Sequence, residues 1–206
     1  VYGDGVFQDY TEAAKWYRLA AEQGETGAQI KLGYMYQQGI GVPRDFTEAM
    51  KWYRKAAEQG HDDAQYNLGR MYSNGDGVPQ NDKEAVKWYR LAAEQGETVA
   101  QFHLGLSYAN GEGVPQNDKE AVKWYSLSAK QGETSAQHNL GIMYEMGRGV
   151  PQDYKEAYIW YSLASVGGNE SSKKSFEVMK AKLSPEQLAE AQGQATARFN
   201  QIEERQ

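Results

Sequence analysis

KWYRLAAEQG occupies residues 15–24 and returns letter for letter at 87–96. KWYRKAAEQG stands at 51–60 and KWYSLSAKQG at 123–132, so one phrase is written four times at intervals of 36 residues. The tryptophans keep the same count: Trp16, Trp52, Trp88, Trp124 and Trp160 each follow the last by 36. Four of the five prolines, Pro43, Pro79, Pro115 and Pro151, do so too, and residues 80–115 match 116–151 at 25 of 36 positions. A fixed period of this size marks a repeat architecture, in which each copy of a phrase meets the same neighbours.

Each period reads as two helices. The first is AQYNLGRMYSNG at 64–75 and its counterparts, whose steady positions Ala64, Leu68, Gly69 and Tyr72 share one helical face. Gly75 and Gly77 stop it, and Val78-Pro79 continues as an extended link, because the residue before proline avoids helical backbone. The second helix opens on a cap-x-x-Glu spacing at Asp9/Glu12, Asp45/Glu48, Asn81/Glu84, Asn117/Glu120 and Asp153/Glu156. Its steady face is Ala85, Trp88, Tyr89, Ala92 and Ala93, and Gly96 ends it. Small residues beside Trp and Tyr predict helices that cross closely, with the rings filling the space between. One pair cannot bury its own apolar face; stacked pairs can. The fold class expected is therefore all-α, a solenoid of helix-turn-helix repeats.

The composition fits. The 206 residues are 40% hydrophobic and 12% aromatic, enough for a buried core. There is no cysteine, which excludes disulfides and thiolate metal sites. Net charge is −6, and residues 169–206 hold six acids and six bases, so the repeats carry the whole excess. Such a chain has no electrostatic reason to bind nucleic acid. No run of eighteen apolar residues exists to insert in a membrane. No signal peptide is visible, and the chain begins on Val1 in mid-pattern, since GDGVFQD at 3–9 aligns with GIGVPRD at 39–45. Residues 1–8 read as the remnant of a preceding repeat in a trimmed or processed chain.

The pattern LGxMYxxGxGVPxD followed by EAxKWYRxAAEQG resembles the Sel1-like repeats, relatives of the tetratricopeptide repeats. Leu32, Gly33, Tyr36, Gly39, Gly41 and Pro43 match the motif of the first helix and loop; Ala49, Trp52, Tyr53, Ala56, Ala57 and Gly60 match that of the second. Phe7 departs where proline is expected. The resemblance covers residues 3–168. It implies a right-handed α/α superhelix, a bacterial origin and, often, export. The repeats proper are expected over 9–168. Residues 169–206 are expected to form a degenerate half repeat and a capping helix, for Phe176, Glu177, Val178, Met179 and Lys180 replace the LGIMY of 140–144. Ser184-Pro185-Glu186-Gln187 is a strong helix start, and Leu188, Ala191, Ala195, Phe199 and Ile202 make one apolar stripe. A helix with one polar face is what the last unit of a stack needs as a cover.

Catalytic or cofactor chemistry finds little footing. His61, His103 and His138 are never three or four apart, so no single helix presents two metal ligands; His103 and His138 lie on successive first helices. YSNGDGVPQNDKE at 72–84 places Tyr72 and Lys83 where a calcium loop needs oxygen ligands. Ser171 and Lys174 satisfy S-x-x-K, yet neither SDN nor KTG occurs. The recurrent acids repeat one environment, whereas a catalytic pair needs two different ones. No cofactor, metal or catalytic residue is expected. A hydrolase or binder of β-lactam or peptidoglycan fragments is the rival reading, and a purely structural segment of a longer solenoid is another.

Constant columns build the stack, so function is expected where the repeats differ. One first-helix column holds Ile30, Tyr66, Phe102 and His138; the next holds Lys31, Asn67, His103 and Asn139. A third holds Tyr34, Arg70, Leu106 and Ile142, and a fourth Gln38, Asn74, Asn110 and Met146. The first, third and fourth step by four and share a face, with the second at its border. In tetratricopeptide-type solenoids the first helices line the concave side, so the resemblance implies that these residues face a groove. Aromatic, Arg and amide side chains there suit another protein or a peptide, with Tyr66, Arg70 and Phe102 as expected anchors.

Overall fold

The computed structural model describes residues 9–204, which leaves Phe7 and the expected repeat remnant at 1–8 outside the described residues. Eleven helices and no strand occur among the described residues: α1(Tyr10–Glu22), α2(Thr26–Gln38), α3(Phe46–Glu58), α4(Asp62–Asn74), α5(Asp82–Glu94), α6(Thr98–Asn110), α7(Asp118–Ala129), α8(Thr134–Met146), α9(Tyr154–Val166), α10(Glu170–Lys182) and α11(Pro185–Glu203). They belong to two compact units, α1–α5 in residues up to Glu97 and α6–α11 from Thr98 onward. In the first unit α2 pairs with α3 and α4 with α5, while α1 packs on α2 and α3 on α4. In the second, α6 pairs with α7 and α8 with α9; α7 packs on α8, and α9 packs on both α10 and α11.

The close crossing rests on a glycine and a tyrosine. A Cβ added to Gly33 would lie 3.0 Å from the Tyr53 ring, and one on Gly69, Gly105 or Gly141 would lie 2.7 Å from Tyr89, Tyr125 or Tyr161. These tyrosines are 1–3% exposed, and they reach partners with their hydroxyls. Tyr53 donates to Gln37 Oε1 at 3.1 Å and Tyr161 to Glu145 Oε2 at 2.7 Å. Burial pushes the phenols of Tyr89 and Tyr125 up to about 12, and those of Tyr53 and Tyr161 higher still. A phenol held neutral in the fold contributes stability that is complete below its unfolded value near 10 and is lost as pH climbs through the folded value. Alkaline unfolding should therefore set in above pH ~10 and release the buried tyrosines together, as ultraviolet tyrosinate absorbance would record. A smooth titration of all tyrosines around pH 10, with the helical signal intact, would contradict this burial.

Three further devices set the repeat. Asp9, Asp45, Asn117 and Asp153 accept backbone N–H groups two and three residues on, as capping side chains do. The paired glutamates do not reach back to close a reciprocal box. Glu48 instead takes Lys51 and the Trp52 indole N–H, and Glu156 takes the Trp160 indole N–H at 3.1 Å. The reciprocal box forms at Ser184 and Gln187, where α11 begins. Next, the helix-linking loop sends the N–H of Asp45, Asn81, Asn117 or Asp153 back to the carbonyl of Tyr36, Tyr72, Tyr108 or Tyr144. Finally, a buried glutamine bridges successive repeats: Gln29, Gln65 and Gln137 donate to the carbonyls of Ala21, Ala57 and Ala129, which end the preceding second helix. Gln59, Gln95 and Gln131 then donate to Gln29, Gln65 and Gln101 at 2.8 Å.

The tryptophan column is not uniformly core, which corrects the sequence expectation. Trp52, Trp124 and Trp160 are 2–5% exposed, Trp88 is half-buried, and Trp16 is 64% exposed. The reason is positional. Trp160 lies among Ser126, Lys130 and Tyr144, which belong to the preceding second helix and to the first helix of its own repeat. No helix in the first-helix role precedes α1 among the described residues, so nothing there covers Trp16.

Candidate interaction surface on the first helices

The variable columns do not share one environment. Tyr66, Phe102 and His138 lie against the second helix of their own repeat: their rings sit 6.0, 6.0 and 5.5 Å from Tyr89, Tyr125 and Tyr161. Ile30 packs on the core of the first unit, and Leu106 and Ile142 on that of the second. This part of the face helps hold the helix pairs. His138 also ties in α10, with Nδ1 2.7 Å from the buried Ser172 Oγ, and burial lowers its pKa. His103 meets Phe102 edge-on at 5.3 Å. Asn139 bonds the Tyr125 hydroxyl, and Asn67 donates to the Asp63 carbonyl at 2.8 Å.

What stays open lies mainly in the first unit. Lys31, Tyr34, Gln38 and Asn74 are exposed, Tyr34 by 48%. Lys31 and Tyr34 line a cavity of about 530 Å³ with Tyr10 and Tyr17 of α1. Variation among the first helices does not single out these two tyrosines, because they stand on a second helix. Arg70 is half-buried beside Tyr53 and Tyr89, and its positive charge lowers both phenols slightly against the effect of burial. No carboxylate among the described residues pairs with it, and its Nε has no acceptor among them. A guanidinium without an ion-pair partner, in a chain of net charge −6, stands out on this face.

The other candidate chemistry is not assembled. Ser171 and Lys174 are both exposed on α10, and no hydrogen bond joins them. His61, Asp62 and Asp63 bring their ligand atoms within 4.8 Å of one another at the start of α4, where acids meet the partial positive charge of the helix end. No helix among the described residues is long and apolar enough to cross a membrane.

Comparison with known proteins agrees with the repeat geometry. No curated protein matches the chain. In solved structures, the chain is similar to c5321, a protective antigen of uropathogenic Escherichia coli with an SLR fold: 37% identity, TM-score 0.85, covering 98% of this chain and 43% of that one. It is also similar to a Sel1 repeat protein of Oxalobacter formigenes, at 37% identity and TM-score 0.76 over 84% of this chain and half of that one. The chain thus spans half or less of the length of these two relatives. The immunity protein Pa5087 of Pseudomonas aeruginosa shares the fold at 22% identity and TM-score 0.53, over 96% of this chain and 76% of that one. The Sel1 repeat model matches residues 1–25, 26–61, 62–97, 98–133 and 134–169, so this chain belongs to the Sel1 repeat family.

Proposed function

We propose that the chain is a non-catalytic scaffold that captures a peptide or partner helix on the variable face of its first helices. Sel1 repeats generally act as protein-interaction scaffolds. The observation that carries the finer reading is Arg70, whose guanidinium has no carboxylate partner among the described residues, on a face that also exposes Tyr34, Lys31 and Gln38. Arg and Tyr anchor interfaces disproportionately, because they combine apolar area with directed hydrogen bonds. A partner carbonyl or carboxylate would satisfy Arg70, while the acidic balance of the repeats would speed the approach of a partner basic elsewhere. In the second unit Phe102, His103, Leu106, His138, Asn139 and Ile142 divide between this role and helix packing.

The packing of Tyr66 on Tyr89 and of Phe102 on Tyr125 decides how the reading is tested. Truncating either would disturb the fold, whereas Arg70→Ala and Tyr34→Ala remove side chains that no ion pair or hydrogen bond from the described residues holds. Both variants are expected to unfold within about 1 kcal/mol of wild type. Arg70→Ala should weaken capture of a partner recovered by wild-type pull-down about tenfold or more, the value of a charge-assisted hydrogen bond. Unaltered capture by the Arg70→Ala/Tyr34→Ala double variant would overturn the assignment.

A further inference from the structure

Two linked departures from the repeat leave a cavity in the second unit. In KWYRLAAEQG the arginine after Trp-Tyr is Arg18, Arg54 and Arg90, and the acid four residues on is Glu22, Glu58 and Glu94. In KWYSLSAKQG these places are Ser126 and Lys130. The arginine has a task in the first unit. Arg18 and Arg54 donate to the hydroxyls of Tyr36 and Tyr72 on the next first helix, and lie 5.6 and 5.8 Å from those ring centres. Tyr144 is the equivalent tyrosine facing Ser126. Without the arginine its hydroxyl has no donor among the described residues, and a cavity of about 480 Å³ opens between Ser126, Lys130 and Tyr144 on one side and α9 and α11 on the other.

Charge balance selects the occupant. On the far wall Arg198 of α11 grips Glu156 with two hydrogen bonds of 2.7 and 2.8 Å and lies 4.9 Å from the centre of the Trp160 ring. That pair neutralises itself. Lys130 remains, a cation where the three preceding copies carry an acid, and no carboxylate among the described residues is paired with it. Around it stand the Ser126 and Tyr144 hydroxyls and the Gln201 amide, all able to donate. An arginine-filled, acid-flanked joint has become an open, cation-flanked one, of a size that holds a small organic molecule. We propose that this cavity binds a small hydroxylated carboxylate, of sugar-acid size, with its carboxylate on Lys130 and its hydroxyls on Ser126, Tyr144 and Gln201. The site lies wholly in the second unit, whereas Arg70 belongs to the first.

Glucuronate serves as the probe, followed through the Trp160 indole N–H in an NMR titration of the whole chain. A saturable shift with a Kd of about 1 mM or tighter is expected, and glucose, which lacks the carboxylate, should produce none at the same concentration. Lys130→Gln should weaken binding about tenfold, as loss of one charge-assisted bond does. Ser126→Arg should abolish it while keeping the thermal midpoint, because it restores the contact that Arg18 and Arg54 make. Binding of glucose as tight as that of glucuronate would overturn the proposal, as would undiminished glucuronate binding by the Ser126→Arg variant. Equal response to inorganic phosphate would replace the carboxylate class with a generic anion, and no glucuronate shift at about 10 mM would remove the site.

Discussion

Gly149→Ala is expected to cost roughly 3–5 kcal/mol, the sum of a left-handed backbone penalty and an overpacked contact. Gly149 adopts φ +71°, and an added Cβ would stand 2.3 Å from the carbonyl oxygen of Asp118, the first residue of α7. Backbone cannot rotate away as a side-chain tip can, so either the loop lifts or α7 shifts. The same approach recurs in the first unit, where a Cβ on Gly41 or Gly77 would strike the carbonyl of Tyr10 or Phe46. The second glycine of GxGVP therefore does two things. It continues with positive φ the turn that the first glycine begins as the helix cap, and it lets the loop rest on the start of the preceding second helix. Gly193 in α11 supplies the control, since a Cβ there meets nothing within 4 Å and the residue is helical. Gly193→Ala should stabilise by about 1 kcal/mol through helix propensity alone. Denaturant midpoints of the two variants should move in opposite directions; a loss at Gly149 no larger than about 1 kcal/mol would show that the loop does not bear on α7.

The period made these helices legible because each of its parts answers to local chemistry. Asp or Asn caps, GxG stops, Val-Pro links and the Gly/Tyr crossing all act within a few residues or between adjacent helices, and each recurs in register. The glutamine bridge was less visible. Gln29 and Gln59 are 30 residues apart, and a recurring amide reads as surface until a helix end is placed beside it. The site was the least legible. Variation alone could not separate Tyr66, which packs on Tyr89, from Tyr34, which is open, since that depends on which side of a first helix its own second helix occupies. The paired change to Ser126 and Lys130 was present in the letters. Its meaning needed the arginine's partner, a tyrosine 18 residues on in another repeat.

Trp160→Ala is expected to lose roughly 3–5 kcal/mol, the range for truncating a core aromatic. The indole is 4% exposed, its N–H bonds Glu156, and Arg198 covers its face, so the change opens a cavity and loosens the anchorage of α11 together. Trp52→Ala in the first unit should lose a similar amount, for that ring is 2% exposed and bonds Glu48 in the same way. Trp88→Ala should cost less, in proportion to its half-burial. Trp16→Ala should change stability by less than about 0.5 kcal/mol, since that ring already stands 64% in solvent. The series makes one letter in one column serve as a gauge of neighbours. Five tryptophans at a strict spacing of 36 would give equal losses if the repeat motif alone set the energy. If contacts across adjacent helices set it, the losses rank with burial, and guanidinium unfolding followed by circular dichroism separates the two. Equal losses at Trp16 and Trp160 would mean that the tryptophan stabilises its own helix, and the account of packing between repeats would have to be abandoned.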